Sequence, residues 1–518
     1  VSAGKHRRGR ALLAALLLSA LLLSALLLSA LLAGCGASAP RPAAAPSSTA
    51  TASPTAPAAT LAPPTLAPPT LAPSPTPPPP PARPQIALTA VLDMLTRIVV
   101  VQQQLIYPNH SGASLPELIL MVEAARYPDG FRLTRLSLED GSALASTLDG
   151  NQLRVTLPQP LADGAALTLR LDYELTLPQP VPNPAVRPVP YGVTPHQTNL
   201  VDWYPYVAPY RAGQGWLAHQ PGYFGEHTVY DLADFQIDLR VENGAPGLIA
   251  AASAPYTGDP VGGMHFEYSA ARNFAISLSS EYLVTRATVA EVEVLGYAFP
   301  LHAAAGEAAL RTTAAALELY TRLFGPYPRS TLSVVEADFL DGMEYDGLYF
   351  LSNGFYNLYV GTPAEYLIAI AAHETAHQWW YAQVANDQAT EPWLDEALCT
   401  YSERLFYENV HPEALAWWWA ARVNYYQPRG WVDGSIFDFS SEPEPYRAYR
   451  DAVYLNGAVF LEELRKIMGD DAFLGLLRDY ATQQNGQIAT RADFFALARA
   501  ATTADLDPLT ARFFRVSP

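Results

Sequence analysis

The sequence predicts an α+β chain of more than one domain, a β-rich N-terminal part followed by a sheet-and-helix part. Three observations carry this. At 518 residues the chain is too long for one ordinary core. Strand-length runs that alternate or stay apolar fill the first half of the foldable region. Helix-length segments with start and stop signals fill the second.

Taken in order, residues 1–35 read as an export signal. Lys5-His-Arg-Arg-Gly-Arg10 is basic, Ala11 to Ala33 is an unbroken Leu/Ala/Ser run, and Leu32-Ala-Gly-Cys35 closes it. That closing segment resembles the lipobox of bacterial lipoproteins, which implies cleavage before Cys35 and lipid attachment to its sulfur. The run is also long enough to stay as a membrane-spanning helix. Either reading places the bulk of the chain outside the cytoplasm, tethered to a membrane. Residues 36–85 are Pro, Ala, Thr and Ser, with Thr-Leu-Ala-Pro-Pro repeated from Thr60. They lack the apolar bulk that offsets the entropy of ordering, so they read as a disordered, largely polyproline tether.

Residues 86–289 carry strand signals such as Ile98-Val-Val-Val-Gln, Leu153-Arg-Val-Thr-Leu and Leu167-Thr-Leu-Arg-Leu-Asp-Tyr, broken at Asp149-Gly-Asn and Glu242-Asn-Gly. Residues 290–518 change character. A helix over Ala308–Phe324 stops at Gly325-Pro-Tyr-Pro328, a buried strand follows at Leu332-Ser-Val-Val-Glu, and helices dominate from Pro363.

Composition narrows the function classes. The formal charge is −18, and no acidic residue precedes Asp93. An acidic folded region of this kind disfavours nucleic-acid binding and keeps the protein soluble. Cys35 and Cys399 are the two cysteines, so no disulfide framework is expected. Nothing points to an obligate protein partner.

The chemistry lies in His373-Glu-Thr-Ala-His377 and in Glu396 of Trp393-Leu-Asp-Glu396-Ala. Two imidazoles at i and i+4 of a helix project from one face and can share a metal. Catalytic zinc takes three protein ligands and keeps one position for water, so Glu396 can complete the set with His373 and His377. Glu374 is then placed to take a proton from that water. Thr362-Pro363-Ala364-Glu365 predicts the start of the motif helix, which should run through Trp380. A second helix is expected after Pro392, with Leu394, Leu398, Tyr401 and Leu405 as its apolar stripe and Glu396, Thr400 and Glu403 on another face. Glu403 reads either as a carboxylate that orients a ligand imidazole or as an exposed ion-pair partner. Trp379-Trp380 and Trp417-Trp-Trp419 read as packing, and His302 and His411 as non-catalytic.

These residues resemble the M1-type gluzincin aminopeptidases, in their bacterial branch. Asp341-Gly342-Met343-Glu344-Tyr345 is similar to the family's G-x-M-E-N segment, an edge strand beside the zinc whose Glu binds the substrate's free α-amine. Tyr454-Leu-Asn-Gly457-Ala resembles Y-x-K-G-a, whose Tyr hydrogen-bonds the developing oxyanion, and Tyr449 matches a second active-site tyrosine. Trp203-Tyr-Pro and Gly325-Pro-Tyr-Pro also fit. The resemblance implies a saddle-like β domain before a thermolysin-like catalytic domain. It also implies one catalytic zinc, peptide substrates with a free N-terminus bound through Gly342, Met343 and Glu344, and hydrolysis by Glu374 and Tyr454.

Some positions depart from the family pattern. Tyr345 stands for Asn, Asp341 for Gly and Asn456 for Lys, all at the rim. The sequence closes at Pro518, short of the helical-repeat domain many relatives carry, so a more open cleft is expected. The family's second amine-binding residue is not placed by pattern. An endopeptidase or other hydrolase on the same site, and a non-catalytic binding module, are the competing readings.

Overall fold

Alternating burial along the predicted strands gives one face to a core and the other to solvent, and the sheets form accordingly. The computed structural model describes residues 83–180 and 189–516. The signal segment, Cys35 and nearly all of the tether lie outside the described residues.

Among the described residues a seven-stranded sheet comes first. Its order is Tyr256–Asp259, Gly263–Ala271, Ala233–Glu242, Gln85–Asp93, Ile98–Pro108, Ala166–Thr176 and Phe131–Leu138. The pair Gln85–Asp93 and Ala233–Glu242 is parallel, and its neighbours are antiparallel. Along Gln85–Asp93 every second residue (Ile86, Leu88, Ala90, Leu92) is buried, as a half-solvated strand requires. Two smaller sheets, one built round Leu115–Met121 and Gln152–Leu161 and one round Ile249–Ala252 and Ile276–Ser279, share that core.

A five-stranded mixed sheet follows, ordered Leu283–Val289, Val292–Ala298, Thr331–Ala337, Leu348–Ser352 and Gly342–Tyr345. Its first hairpin turns at residues 290–291, where the sequence suggested a division. The edge strand Gly342–Tyr345 turns into Leu348–Ser352 through Asp346 and Gly347. Gly347 has φ +80, and a Cβ there would lie 2.2 Å from the Ser253 carbonyl oxygen, so only glycine fits the turn.

The long helix Ala303–Phe324 starts five residues earlier than predicted and stops at Gly325, φ +124. It packs on the motif helix, which spans Tyr366–Ala376 and not the longer stretch expected. The proposed start at Thr362 fails because the Glu365 carboxylate is engaged locally. It accepts hydrogen bonds from the backbone N–H of Val360 and Thr362 and from the Thr362 hydroxyl, and so closes a turn ahead of the helix. At the other end His377 sits at the C-cap, so the second imidazole is anchored by tertiary contacts and not by helix interior. The second helix, Trp393–Val410, begins after Pro392 as predicted.

A buried polar knot stitches the β-rich part to the catalytic part. The Arg272 guanidinium donates to the carbonyls of Tyr230, Ala382, Gln383 and Gln487. Asp346 accepts from the Arg272 backbone N–H, the Tyr268 hydroxyl and Arg329. Desolvation lowers Arg272 to about 10, still cationic at neutral pH. Arg272→Met strands four carbonyls that water cannot readily reach, each worth about 1–3 kcal/mol. Chemical denaturation should show a loss of several kcal/mol on that basis; a loss below about 1 kcal/mol would mean the knot is dispensable.

Candidate active site and metal centre

The motif helix, the second helix and the edge strand bring their acidic and imidazole groups to one buried place. His373 and His377 are 4% and 1% exposed, and their rings lie 4.9 Å apart. His373 Nε2 is 3.1 Å and His377 Nε2 is 3.7 Å from the same oxygen, Glu396 Oε2. Donors about 2.0–2.1 Å from a tetrahedral zinc stand roughly 3.3 Å apart, so this spacing fits one ion. His373, Glu374 and His377 also group within 4.8 Å. Glu396 touches both Nε2 atoms, whereas Glu374 is packed against the edge strand, which makes Glu396 the third donor.

The opposite ring nitrogens are held as metal-binding histidines require. His373 Nδ1 lies 2.9 Å from Glu403 Oε1. His377 Nδ1 lies 2.7 Å from Asp395 Oδ1 and 3.1 Å from the Trp380 carbonyl oxygen. Acceptors on Nδ1 fix its proton there and turn the Nε2 lone pair toward the shared site. Cys399 belongs to this outer side, grouped with His377 and Asp395. The carboxylates lift His373 to about 9 against the opposing effect of burial, the mark of a site that draws positive charge.

Glu374 is buried beside Gly342, where a Cβ would stand 2.0 Å from Glu374 Oε1. Glycine there is a space requirement. Burial, with the charges of Glu344 and Glu396, raises Glu374 to about 8 despite both histidines. Glu344, on the edge strand, is 1% exposed and accepts from Gln388 Nε2 at 3.2 Å. Its Oε2 is 4.0 Å from His377 Nε2. Glu344 Oε2 and Glu374 Oε2 are both buried without a hydrogen-bond donor from the protein. Two orphaned carboxylate oxygens beside a converged donor set fit a bound cation and a cationic substrate group. Met343 alternates to the other face of the strand and packs into the β-rich core.

Tyr454 stands in a wide π-type turn, Asp451–Asn456, and its hydroxyl donates to Glu396 Oε1 at 2.5 Å. Its ring stacks 6.1 Å from that of His373. Tyr449 lies one layer behind, fully buried against Phe224, Phe439 and Tyr454. His302 and His411 pair with Glu336 and Glu413, away from the cluster. Trp379 and Trp380 are core, while Trp418 does more than pack, since its Nε1 donates to Glu403 Oε2 at 2.8 Å.

Residues 308–513 match the Peptidase family M1 domain. This segment is a peptidase family M1 domain. Solved structures agree over more of the chain. The M1 zinc metallopeptidase of Deinococcus radiodurans is similar with a TM-score of 0.59 at 19% identity, over 84% of this chain and 95% of that one. A mutant of it bound to a Tyr-Ser-Ala substrate gives the same values. A two-domain M1 zinc metallopeptidase mutant bound to L-arginine gives 0.60, with the same identity and coverage. At that identity the likeness shows the fold, a sheet-rich domain followed by a catalytic one. No curated protein matches the chain.

Pattern reading missed three groups in or beside the M1 site. Asp395 and Gln388 hold His377 and Glu344, with Gln388 Nε2 also 2.6 Å from Asp395 Oδ2. Asp395 was visible only as the neighbour of Glu396. Asp202 immediately precedes the Trp203-Tyr-Pro segment, in left-handed backbone at φ +48, and accepts from the Tyr230 hydroxyl at 2.5 Å. Burial raises its carboxyl to about 7, opposed by Tyr230, with the charges of Glu123 and Glu344 adding to the rise. A carboxyl raised in the fold contributes stability below its unfolded value of about 4, and that stability is lost as pH rises through about 7. Denaturation midpoints at pH 5 and pH 8 should therefore diverge, the parent losing ground to Asp202→Asn at pH 8. Parallel profiles would show that Asp202 ionises freely.

Proposed function

We propose that this chain is a zinc aminopeptidase that removes N-terminal residues from peptides. The carrying observation is the buried convergence of both Nε2 atoms on Glu396 Oε2, with the free oxygens of Glu374 and Glu344 on the same floor. His373, His377 and Glu396 would hold the one catalytic zinc that belongs with an M1 domain. An ion held there would supply Lewis-acid chemistry, polarising the scissile carbonyl and acidifying a water molecule.

The chain's own residues do the rest. Glu374 accepts the water's proton and returns it to the leaving amine, through an Oε2 that no protein donor occupies. Glu344 Oε2 takes the protonated α-amine by a charge-assisted hydrogen bond, while Gln388 occupies its other oxygen and stops it rotating. Half-buried Asp202 lies within electrostatic reach of Glu344 and supports the same cationic group. Tyr454 turns its hydroxyl from Glu396 to the oxygen that gains charge as the carbonyl is attacked.

For localisation, we read the basic and apolar N-terminal segment as a lipoprotein signal, with Cys35 acylated and the proline-rich stretch holding the enzyme off a membrane. No helix among the described residues is long and apolar enough to cross a membrane. Labelling with a fatty-acid probe should mark the parent and spare Cys35→Ser, which should leave the membrane fraction; label retained by the variant removes this reading.

Chelation should abolish release from aminoacyl chromogenic amides, and zinc should restore it. Glu374→Gln should keep zinc yet lose about 10²–10⁴ in kcat. Tyr454→Phe should lose about 10²–10³, with KM little changed. Glu344→Ala should erase the preference for free over N-acetylated peptides. Parent enzyme that cleaves both equally would instead be an endopeptidase.

A further inference from the structure

We propose that the wide π-type turn Trp418–Val423 is the outer anchor of the metal centre, with Trp418 and Arg422 as positioning residues for zinc retention. The proposal rests on the reading of His373 as a zinc ligand. Its basis is the coordination of Glu403, which is wholly inaccessible to solvent. Glu403 Oε1 meets His373 Nδ1 at 2.9 Å and Arg422 Nη2 at 2.8 Å. Oε2 accepts from Arg422 Nε at 3.0 Å and from Trp418 Nε1 at 2.8 Å. Each oxygen thus has two partners, and the carboxylate has one orientation.

A buried charge pair of this kind adds little to net stability, because desolvating both ions costs about as much as their attraction returns. It does remove freedom. The planar Arg422 fork fixes the carboxylate plane, and Trp418 blocks rotation about the remaining axis. Burial of Arg422 weakens its hold on its proton, but Glu403 more than offsets this, so the clamp stays charged. Wide π turns are rare and recur at functional sites. Here one supplies the clamp and another, Asp451–Asn456, supplies Tyr454. His377 lacks an equivalent, since Asp395 is bonded to neutral Gln388.

The test separates retention of metal from integrity of the fold. Trp418→Phe keeps the ring and removes only the donor; Arg422→Lys keeps the charge and removes the fork. Competition against a chromophoric chelator should show zinc binding weakened about 10–100-fold in each. The zinc-stripped variants should melt within a degree or two of zinc-stripped parent, and saturating zinc should restore most of the activity. Zinc affinity within twofold of the parent overturns the proposal. So does a melting temperature that falls as far without zinc as with it, which would make the clamp a structural ion pair. If Arg422→Lys does not fold, Trp418→Phe decides alone. A parent that takes up no stoichiometric zinc would overturn the metal reading itself, a result distinct from either.

Discussion

The constraint on which this structure turns is buried negative charge. Glu344, Glu374, Asp395, Glu396 and Glu403 are each at most 4% exposed, and they share one place in the fold. Taking a carboxylate out of water is costly unless a cation or several donors replace the water. Glu403 has Arg422, and Asp395 and Glu344 share Gln388. Glu374 and Asp395 answer by rising to about 8 and about 7. The cluster is a deficit of positive charge, which a divalent metal together with a substrate ammonium would fill.

The scaffold serves that constraint from three sides. The edge strand brings Glu344 within reach because its neighbour at Gly342 has no side chain to push Glu374 away. Helix Trp393–Val410 spaces Glu396 and Glu403 by two turns, so that one reaches the metal position and the other the far nitrogen of the same imidazole. The Arg272–Asp346 knot fixes the base of the edge-strand hairpin to the β-rich part. Since Asp202 approaches from that part, the knot also sets where Asp202 stands relative to Glu344.

Much of this was legible in local sequence, for physical reasons. His373 and His377 are read from helical spacing, a short-range rule, and Glu374 and Glu396 from the chemistry that a pair of zinc-binding imidazoles still needs. Strands with alternating burial, such as Gln152–Leu161 through Leu153-Arg-Val-Thr-Leu, announce themselves by period two. The motif helix was overextended at both ends, because Glu365 caps the preceding turn instead of the helix and because His377 ends the helical ladder. The clamp on Glu403 was not legible. Its partners lie 15 and 19 residues away, across a π turn whose period matches neither the helix nor the strand pattern. Trp418 therefore read as packing, and Arg422 did not stand out. Asp202 was hidden likewise, its partner Tyr230 being 28 residues away.

One short distance favours exopeptidase geometry. Glu344 Oε2 is 4.0 Å from His377 Nε2, so an ammonium held by Glu344 sits only a few ångströms from the metal-binding atoms. In an amino acid the α-nitrogen and the carbonyl carbon are two bonds apart, roughly 2.5 Å given ordinary backbone lengths and angles. A carbonyl at that reach would fall beside the converged His373, His377 and Glu396 atoms, which Tyr454 also touches through Glu396. Each extra residue between amine and scissile bond would add up to about 3.3–3.6 Å. The second carbonyl would then overshoot the centre while the amine stayed anchored. On the proposed reading, the carboxylate that would select a free N-terminus would also be the stop that counts one residue from it, and the metal motif alone contains no such information.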